Sequence, residues 1–210
     1  MNKSEIKGIK FYHREGTSDL KTFEEVIGKD VYRKKGMTIE HGETWIDCGG
    51  NVGAFTLLAC SLGAKGIVYE PDPSNCKMIE MNLKLNGFEA EVKNVALVHN
   101  DNKQANLYVG NNGNVWRNSL FKNWNGKGIK VNCVKFDDVI NDGVCIKIDI
   151  EGAEMPILET TNRRFKKMVF EWSFDIDDSL FRFWNIIEKL ETNYKIASIG
   201  NTAKFISRDY

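Results

Sequence analysis

From Thr44 onward the apolar and polar positions fall into a repeating order. Thr44-Trp45-Ile46-Asp47 is a short apolar run ending in a carboxylate and reads as a buried strand. A glycine-rich turn over residues 48–53 follows. Next comes a helical stretch over residues 52–62, with Gly63 placed to cap its C-terminus. Residues 66–69 read as a second buried strand leading to Glu70. Asp72 then Pro73 is a helix start, an N-cap followed by proline at the first helical position, and that helix runs to about Leu85 before Asn86-Gly87 stops it. Residues 91–98 read as a third strand with its exit loop. Strand, turn, helix, strand, helix, strand is the alternation of a parallel sheet with helices on both faces.

The pattern then changes. β-like runs over 105–109 and 129–134 flank a loop rich in glycine and asparagine, which predicts a small antiparallel insertion over one edge of the site. Residues 144–149 and 167–172 are two more buried strands. Residues 179–191 form an amphipathic helix, with Leu180, Phe183, Trp184, Ile187 and Leu190 spaced at three and four. Residues 194–199 and 203–207, joined by Gly200-Asn201, predict a terminal hairpin. Ahead of all this, the first forty residues mix charge and aromatics. They predict one short helix over 19–27, capped by Asp19, with Leu20, Phe23, Val26 and Ile27 on one face. The expectation is one α/β domain over residues 1–210, with residues 1–43 as an N-terminal cap region.

Composition narrows the class. The 210 residues carry 29 basic and 29 acidic side chains, so the basic surplus of a nucleic-acid binder is missing and a nucleic-acid partner is not expected. The local runs Arg33-Lys34-Lys35 and Arg163-Arg164 with Lys166-Lys167 read as solvated faces. The five cysteines, Cys48, Cys60, Cys76, Cys133 and Cys145, have no CxxC spacing, which predicts reduced thiols and no structural zinc. No stretch approaches the ~20 apolar residues of a membrane span, and the N-terminus has no apolar signal core. A cytoplasmic location and no membrane partner are expected.

The chemistry concentrates in two places. Asp47-Cys48-Gly49-Gly50-Asn51-Val52-Gly53 lies between a strand and a helix, where glycines let a ligand approach the backbone and the helix start offers free N–H groups. Glu70 ends the next strand, placed to accept hydrogen bonds from two ribose hydroxyls. The turn does not spell GxGxxG, and a carboxylate at Asp47 would repel a pyrophosphate. It suits an ammonium group instead, such as that of the methionine part of S-adenosylmethionine (SAM). The bland reading is a turn that only connects strand to helix. The second place is Lys147-Ile148-Asp149-Ile150-Glu151-Gly152-Ala153-Glu154, at the carboxyl end of a strand. Asp149, Glu151 and Glu154 repel one another there, and Lys147, on the Asp149 face, supplies part of the compensation. Glu154 reads equally well as an acid at a helix N-terminus.

The runs WIDCGGNVGAFTL, YEPDPSN, NVALV, FDDVI and KIDIEGAEMPIL together resemble the FkbM-type methyltransferases, and FYHREGTSDLKTFEEVIGKDVYR resembles that family's N-terminal region. The resemblance implies a Rossmann-like seven-stranded, mostly parallel sheet with helices on both faces, a C-terminal antiparallel hairpin and a small β insertion before the fourth strand. It implies SAM as cofactor and S-adenosylhomocysteine (SAH) as product. Asp47, Gly49, Asn51 and Gly53 would line the methionine end. Glu70 would bind the ribose with Pro71 and Asp72 beside it, and Asn94, Val95 and Ala96 would edge the adenine. Asp149 and Glu151 would sit near the transferable methyl, and Ser119-Leu120 near the acceptor.

An alcohol acceptor must lose a proton, and the general-base candidates are Glu151, Asp149 and His99. Trp116, Phe121 and Trp124 suit stacking on a sugar or packing of the insertion. With Ser119 and Glu154, Trp116 makes up the expected acceptor side. No metal ligand set is assigned, although Asp149 and Glu171, ending two adjacent strands, are where some methyltransferases of this fold hold a divalent cation. The leading expectation is O-methylation of a sugar, glycan or small metabolite. A macromolecule methyltransferase acting on RNA or protein, and a SAM-binding module without catalysis, are the alternatives. Asp149-Ile150-Glu151-Gly152, where nitrogen methyltransferases carry an Asn/Asp-Pro-Pro-Tyr type motif, argues against a flipped base.

Overall fold

The computed structural model describes residues 1–34, 36–110, 118–123, 127–173, 180–198 and 202–207, with residues 198 and 202–207 described by their backbone. The chain opens on an antiparallel hairpin, β1 (Asn2–Ile6) and β2 (Ile9–His13). This pair was not predicted. Its turn is Lys7-Gly8, both with positive φ (51° and 82°), the backbone twist that tight hairpins favour. The helix expected over 19–27 is α1 (Asp19–Phe23), running on into a π-helical turn Glu24–Gly28. Asp19 does not cap it. Ser18 holds the cap position, and the Asp19 carboxylate is gripped from both sides by the Arg14 guanidinium at 2.8 and 2.9 Å. A short turn of helix, Val31–Arg33, follows.

β3 (Thr44–Cys48), α2 (Ala54–Ser61), β4 (Lys65–Tyr69), α3 (Pro73–Asn86) and β5 (Ala90–Lys93) then alternate as the pattern predicts. Asp72 caps α3, its side chain accepting from the Ser74 N–H at 2.8 Å, and Gly87 closes the helix in the left-handed region. The third strand is shorter than expected. The Val95 N–H turns back onto the Lys93 carbonyl at 2.9 Å, and the Asn94 amide donates to the Glu70 and Pro71 carbonyls. That kink sends β6 (Ala96–Val98) out of the main sheet. It joins the predicted insertion, where β7 (Gln104–Tyr108) runs antiparallel to β8 (Gly128–Lys135) and β6 runs parallel to it. α4 (Phe136–Val139), β9 (Cys145–Ile148), α5 (Glu154–Thr160), β10 (Lys167–Glu171), α6 (Leu180–Glu191), β11 (Tyr194–Ser198) and β12 (Thr202–Ser207) complete the chain. Ser179, expected in α6, lies outside the described residues.

The main sheet has seven strands in the order β5-β4-β3-β9-β10-β12-β11. The first five are parallel, and β12 and β11 add the antiparallel hairpin. Period-two alternation divides the apolar side chains between two cores. Ile46, Ile146, Ile148, Met168 and Phe170 face α5 and α6. Trp45, Val68, Cys145 and Val169 face α2, α3 and the N-terminal segment. No helix among the described residues is long and apolar enough to cross a membrane.

Candidate active site

Chain order along the sheet runs outward in one direction from β3 to β4 and β5, and in the other from β9 to β10. The reversal falls between β3 and β9, and a crevice beyond the carboxyl ends of strands at such a reversal is where α/β sheets bind ligands. A cavity of about 200 Å3 opens there, far above the ~10–15 Å3 that one water needs. Gly49 and Asn51 form its floor. Tyr69, Glu70 and Pro71 stand on one side with Val95, Ala96 and Leu97 beyond them. Asp149, Ile150, Glu151 and Glu171 stand on the other. The insertion adds Leu107, Asn118 and Leu120, and the N-terminal segment closes over it with Ser18, Lys21, Glu25 and Tyr32.

The glycine turn is built for close approach. Gly49 has φ 82°, and a Cβ there would lie 1.8 Å from the Asp149 carbonyl oxygen, so the two strand ends meet only because the side chain is missing. Asn51 sits in the left-handed region at φ 49°, which asparagine tolerates better than most residues. Its N–H donates to Glu70 Oε2 at 2.7 Å, and its own Oδ1 has no hydrogen-bond partner among the described residues. Glu70 also accepts from the Asp72 N–H at 2.8 Å. Burial pushes this carboxyl up to about 7, with those N–H groups holding it back. Gly53 packs against Ile79 at the start of α2, and Asp72 is spent on capping α3 and on the Asn118 amide at 3.1 Å. Neither lines the cavity, and Asn94 shapes it only through the kink that delivers Val95 and Ala96.

Asp47 does not face the cavity either. It is 2% exposed, accepts from the Thr56 hydroxyl at 2.7 Å and pairs with Lys147 at 3.2 Å. The ammonium it meets is this chain's own. Lys147 stands opposite Asp47 in the parallel register, donates to the Gly49 carbonyl at 2.7 Å, and reaches Asp149 Oδ2 at 3.4 Å. Burial alone would lower its pKa, but Asp47 and Asp149 more than offset this and hold it charged. Tyr32 completes the group. Its hydroxyl donates to Asp149 Oδ2 at 3.0 Å, and burial and then Asp149 push the phenol well above its ordinary value. Tyr32 was missed from sequence, and no local signal marks it, since 117 positions separate it from its partner.

Glu151 lines the cavity in a left-handed conformation, φ 52°. Ser119, 1% exposed, donates to the Glu151 carbonyl at 2.5 Å and accepts from the Phe121 and Lys122 N–H groups, so it fastens the insertion to this loop rather than facing an acceptor. Glu154 is 1% exposed and folds back on the loop, accepting from the Ile150 and Gly152 N–H groups, both at 2.8 Å. His99 lies beside Asn100, outside the cavity wall, and Phe121 is half exposed outside it too. Trp116 and Trp124 fall outside the described residues. No group of three or more His, Cys, Asp or Glu side chains among the described residues is arranged to hold a metal ion.

Residues 47–197 match the methyltransferase FkbM domain, which takes in both β3 with its glycine turn and the 147–154 loop. The chain belongs to the FkbM methyltransferase family. A comparison with curated proteins finds no match. Among solved structures, the chain is similar to a Pyrococcus abyssi tRNA (uracil-54, C5)-methyltransferase in complex with SAH, at 12% identity and TM-score 0.52. That likeness covers 98% of this chain and 44% of the other, so this chain spans less than half of that enzyme. It is also similar to a precorrin-6y C5,15-methyltransferase from Geobacter metallireducens, at 15% identity, 93% coverage of each chain and TM-score 0.49. At 12% identity the likeness to the first of these establishes the fold alone.

Proposed function

We propose that this FkbM-family methyltransferase moves the methyl group of SAM to a hydroxyl oxygen of a sugar, a glycan or a small metabolite in the cytosol. The observation that carries the reading is the cavity at the strand reversal, where Glu70 and the unpartnered Asn51 Oδ1 meet a floor that only glycine permits. These residues fit SAM. Val95, Ala96 and Leu97 offer an apolar edge to an adenine, Glu70 offers a carboxylate to ribose hydroxyls, and Gly49 with Asn51 offers room at the methionine end. Bound SAM supplies a methyl group already activated by a positively charged sulfur.

The work left to the protein is alignment, worth roughly 7–11 kcal/mol when two reactants are held in attacking geometry, together with exclusion of water and removal of a proton. Residues 1–43 act as a cap in this reading, with Tyr32 and Glu25 forming the roof. On the acceptor side Glu25, Asp149, Glu151 and Glu171 stand against Lys21. That balance disfavours an anionic acceptor such as a nucleic-acid phosphate and suits a neutral polyol.

Calorimetric titration of the purified protein with SAM, and separately with NAD, tests the cofactor. Micromolar SAM binding is expected, weakened about 10- to 100-fold by Glu70→Ala through loss of two hydrogen bonds of roughly 0.7–1.4 kcal/mol each. Binding of NAD without SAM would overturn the reading.

A further inference from the structure

We propose that Glu171 is the residue that takes the proton from the acceptor hydroxyl, and that the positive sulfur of bound SAM is what prepares it to do so. The inference rests on the O-methylation reading above and adds to it the identity of the base.

Position comes first. Lys147 pairs in register with Val169 on the adjacent parallel strand, so two residues further along the chain Asp149, just past the end of β9, and Glu171, the last residue of β10, fall on the same face. Adjacent strands lie ~4.8 Å apart. Both residues line the cavity, on the far side of the glycine turn from Glu70. Of the two, Asp149 is the less free to take a proton, because its Oδ2 is already engaged by the Tyr32 hydroxyl and the Lys147 ammonium. His99 lies outside the cavity wall.

The charges around Glu171 decide its state. Lys147 and Asp149 face it from β9, Glu154 from the start of α5, and Glu25 and Tyr32 from the N-terminal segment. Lys147 is the cation of this group, and it is shared with Asp47 as well as Asp149. Burial and then the Asp149 charge push Glu171 up to about 8. Without ligand the carboxyl therefore holds a proton at neutral pH and cannot act as a base. A positive charge within ~4–6 Å lowers the pKa of a carboxyl by roughly 1–3, which leaves Glu171 mostly ionised at pH 7.5.

The step then balances. Glu171 takes the hydroxyl proton as the oxygen–methyl bond forms, while the carbon–sulfur bond breaks with its electron pair left on sulfur. The negative charge of Glu171 and the positive charge of the sulfonium disappear together, leaving a neutral carboxyl beside a neutral thioether. Glu171 carries the proton until the products leave.

SAM and SAH, which differ by one methyl and one charge, are the probes. Each is titrated calorimetrically into the full chain at pH 7.5, in two buffers of different ionisation enthalpy. Both contain the same ribose, so protons displaced at Glu70 cancel in the comparison. SAM is expected to release roughly 0.5–0.8 proton more than SAH, from a carboxyl near 8 lowered by 1–3 units. In Glu171→Gln the excess is expected to vanish with SAH binding unchanged. Should that variant fail to fold, the pH dependence of the wild type serves instead, since preference for SAM over SAH should rise towards about pH 8 and then level off. Equal proton release for the two ligands, an excess that survives in Glu171→Gln, or a flat preference would each overturn the proposal and leave SAM binding standing. Failure of both ligands to bind would instead overturn the cofactor reading beneath it.

Discussion

Glu154 illustrates how one side chain serves the site without entering it. Its two oxygens take the N–H groups of Ile150 and Gly152 and so fix the loop that presents Asp149 and Glu151. Burial raises this carboxyl to about 7, those N–H groups notwithstanding. A folded value above the ordinary 4.5 means that between about pH 4.5 and 7 the native state binds more protons than the unfolded chain. Stability therefore falls as pH rises through that window. Glu70 adds to the same slope. Glu154→Gln should flatten the slope and cost about 1–3 kcal/mol at pH 5.5, since its NH2 would face a donor it cannot accept from. The difference from wild type should narrow at pH 8. Urea unfolding at the two pH values checks both, and an unchanged slope would mean that Glu154 does not titrate in this window. The sequence placed Glu154 at a helix start and left its role open between acceptor contact and helix acid. What decides for a loop clamp is the path of the backbone at Gly152, φ 110°, which no spacing rule conveys.

At the scale of elements, the parallel strands were legible because both faces of each are buried, leaving short apolar runs punctuated by glycine, asparagine or a capped proline. β1 was not legible. Its burial pattern is largely exposed and its residues are Asn, Lys, Ser and Glu before Ile6, which on composition read as loop. The signal that could have found the hairpin is Lys7-Gly8 between Ile6 and the alternating Ile9 and Phe11 of β2. β2 is held by α3 through asparagines. Asn82, fully buried, accepts from the Tyr12 N–H at 2.6 Å and donates to the Tyr12 and Val52 carbonyls, so one amide ties β2, α3 and the glycine turn together. Asn86 repeats the contact at the exposed end with Lys10. Asn82→Ala leaves three backbone groups to find new partners. It should lower stability by about 2–3 kcal/mol, or roughly 4–12 °C in Tm for a chain of this size. Asn86→Ala should cost under about 1 kcal/mol, because water replaces its contacts. Thermal melts of the two variants side by side would show whether burial, and not the bond count, sets the cost.

Across the whole molecule the N-terminal segment takes part in both the core and the site. Phe11, Phe23, Ile27, Tyr32 and Met37 are buried in one cluster with Trp45, Phe55 and Leu57. Phe11 stacks on Phe23 with ring centres 3.9 Å apart, and Tyr32 and Trp45 both meet the Phe55 ring edge-on. Tyr32 therefore reaches Asp149 from a position fixed by packing, not from a loose strap. The family match begins at residue 47, after this whole segment, and reading the matched portion alone would omit the roof of the cavity. Eight buried apolar side chains of the cluster come from residues 1–43. At about 1.5–3 kcal/mol for each buried side chain, their sum is comparable with the ~5–15 kcal/mol net stability of an ordinary domain. A chain trimmed to residues 44–210 should consequently lose its cooperative thermal transition and expose apolar surface to a hydrophobic dye. Tyr32→Phe should fold normally, since it keeps the ring and removes only the hydroxyl bound to Asp149. A trimmed chain that melted cooperatively and bound SAM would instead make residues 1–43 an accessory layer, and would place the core that folds this protein within the matched region.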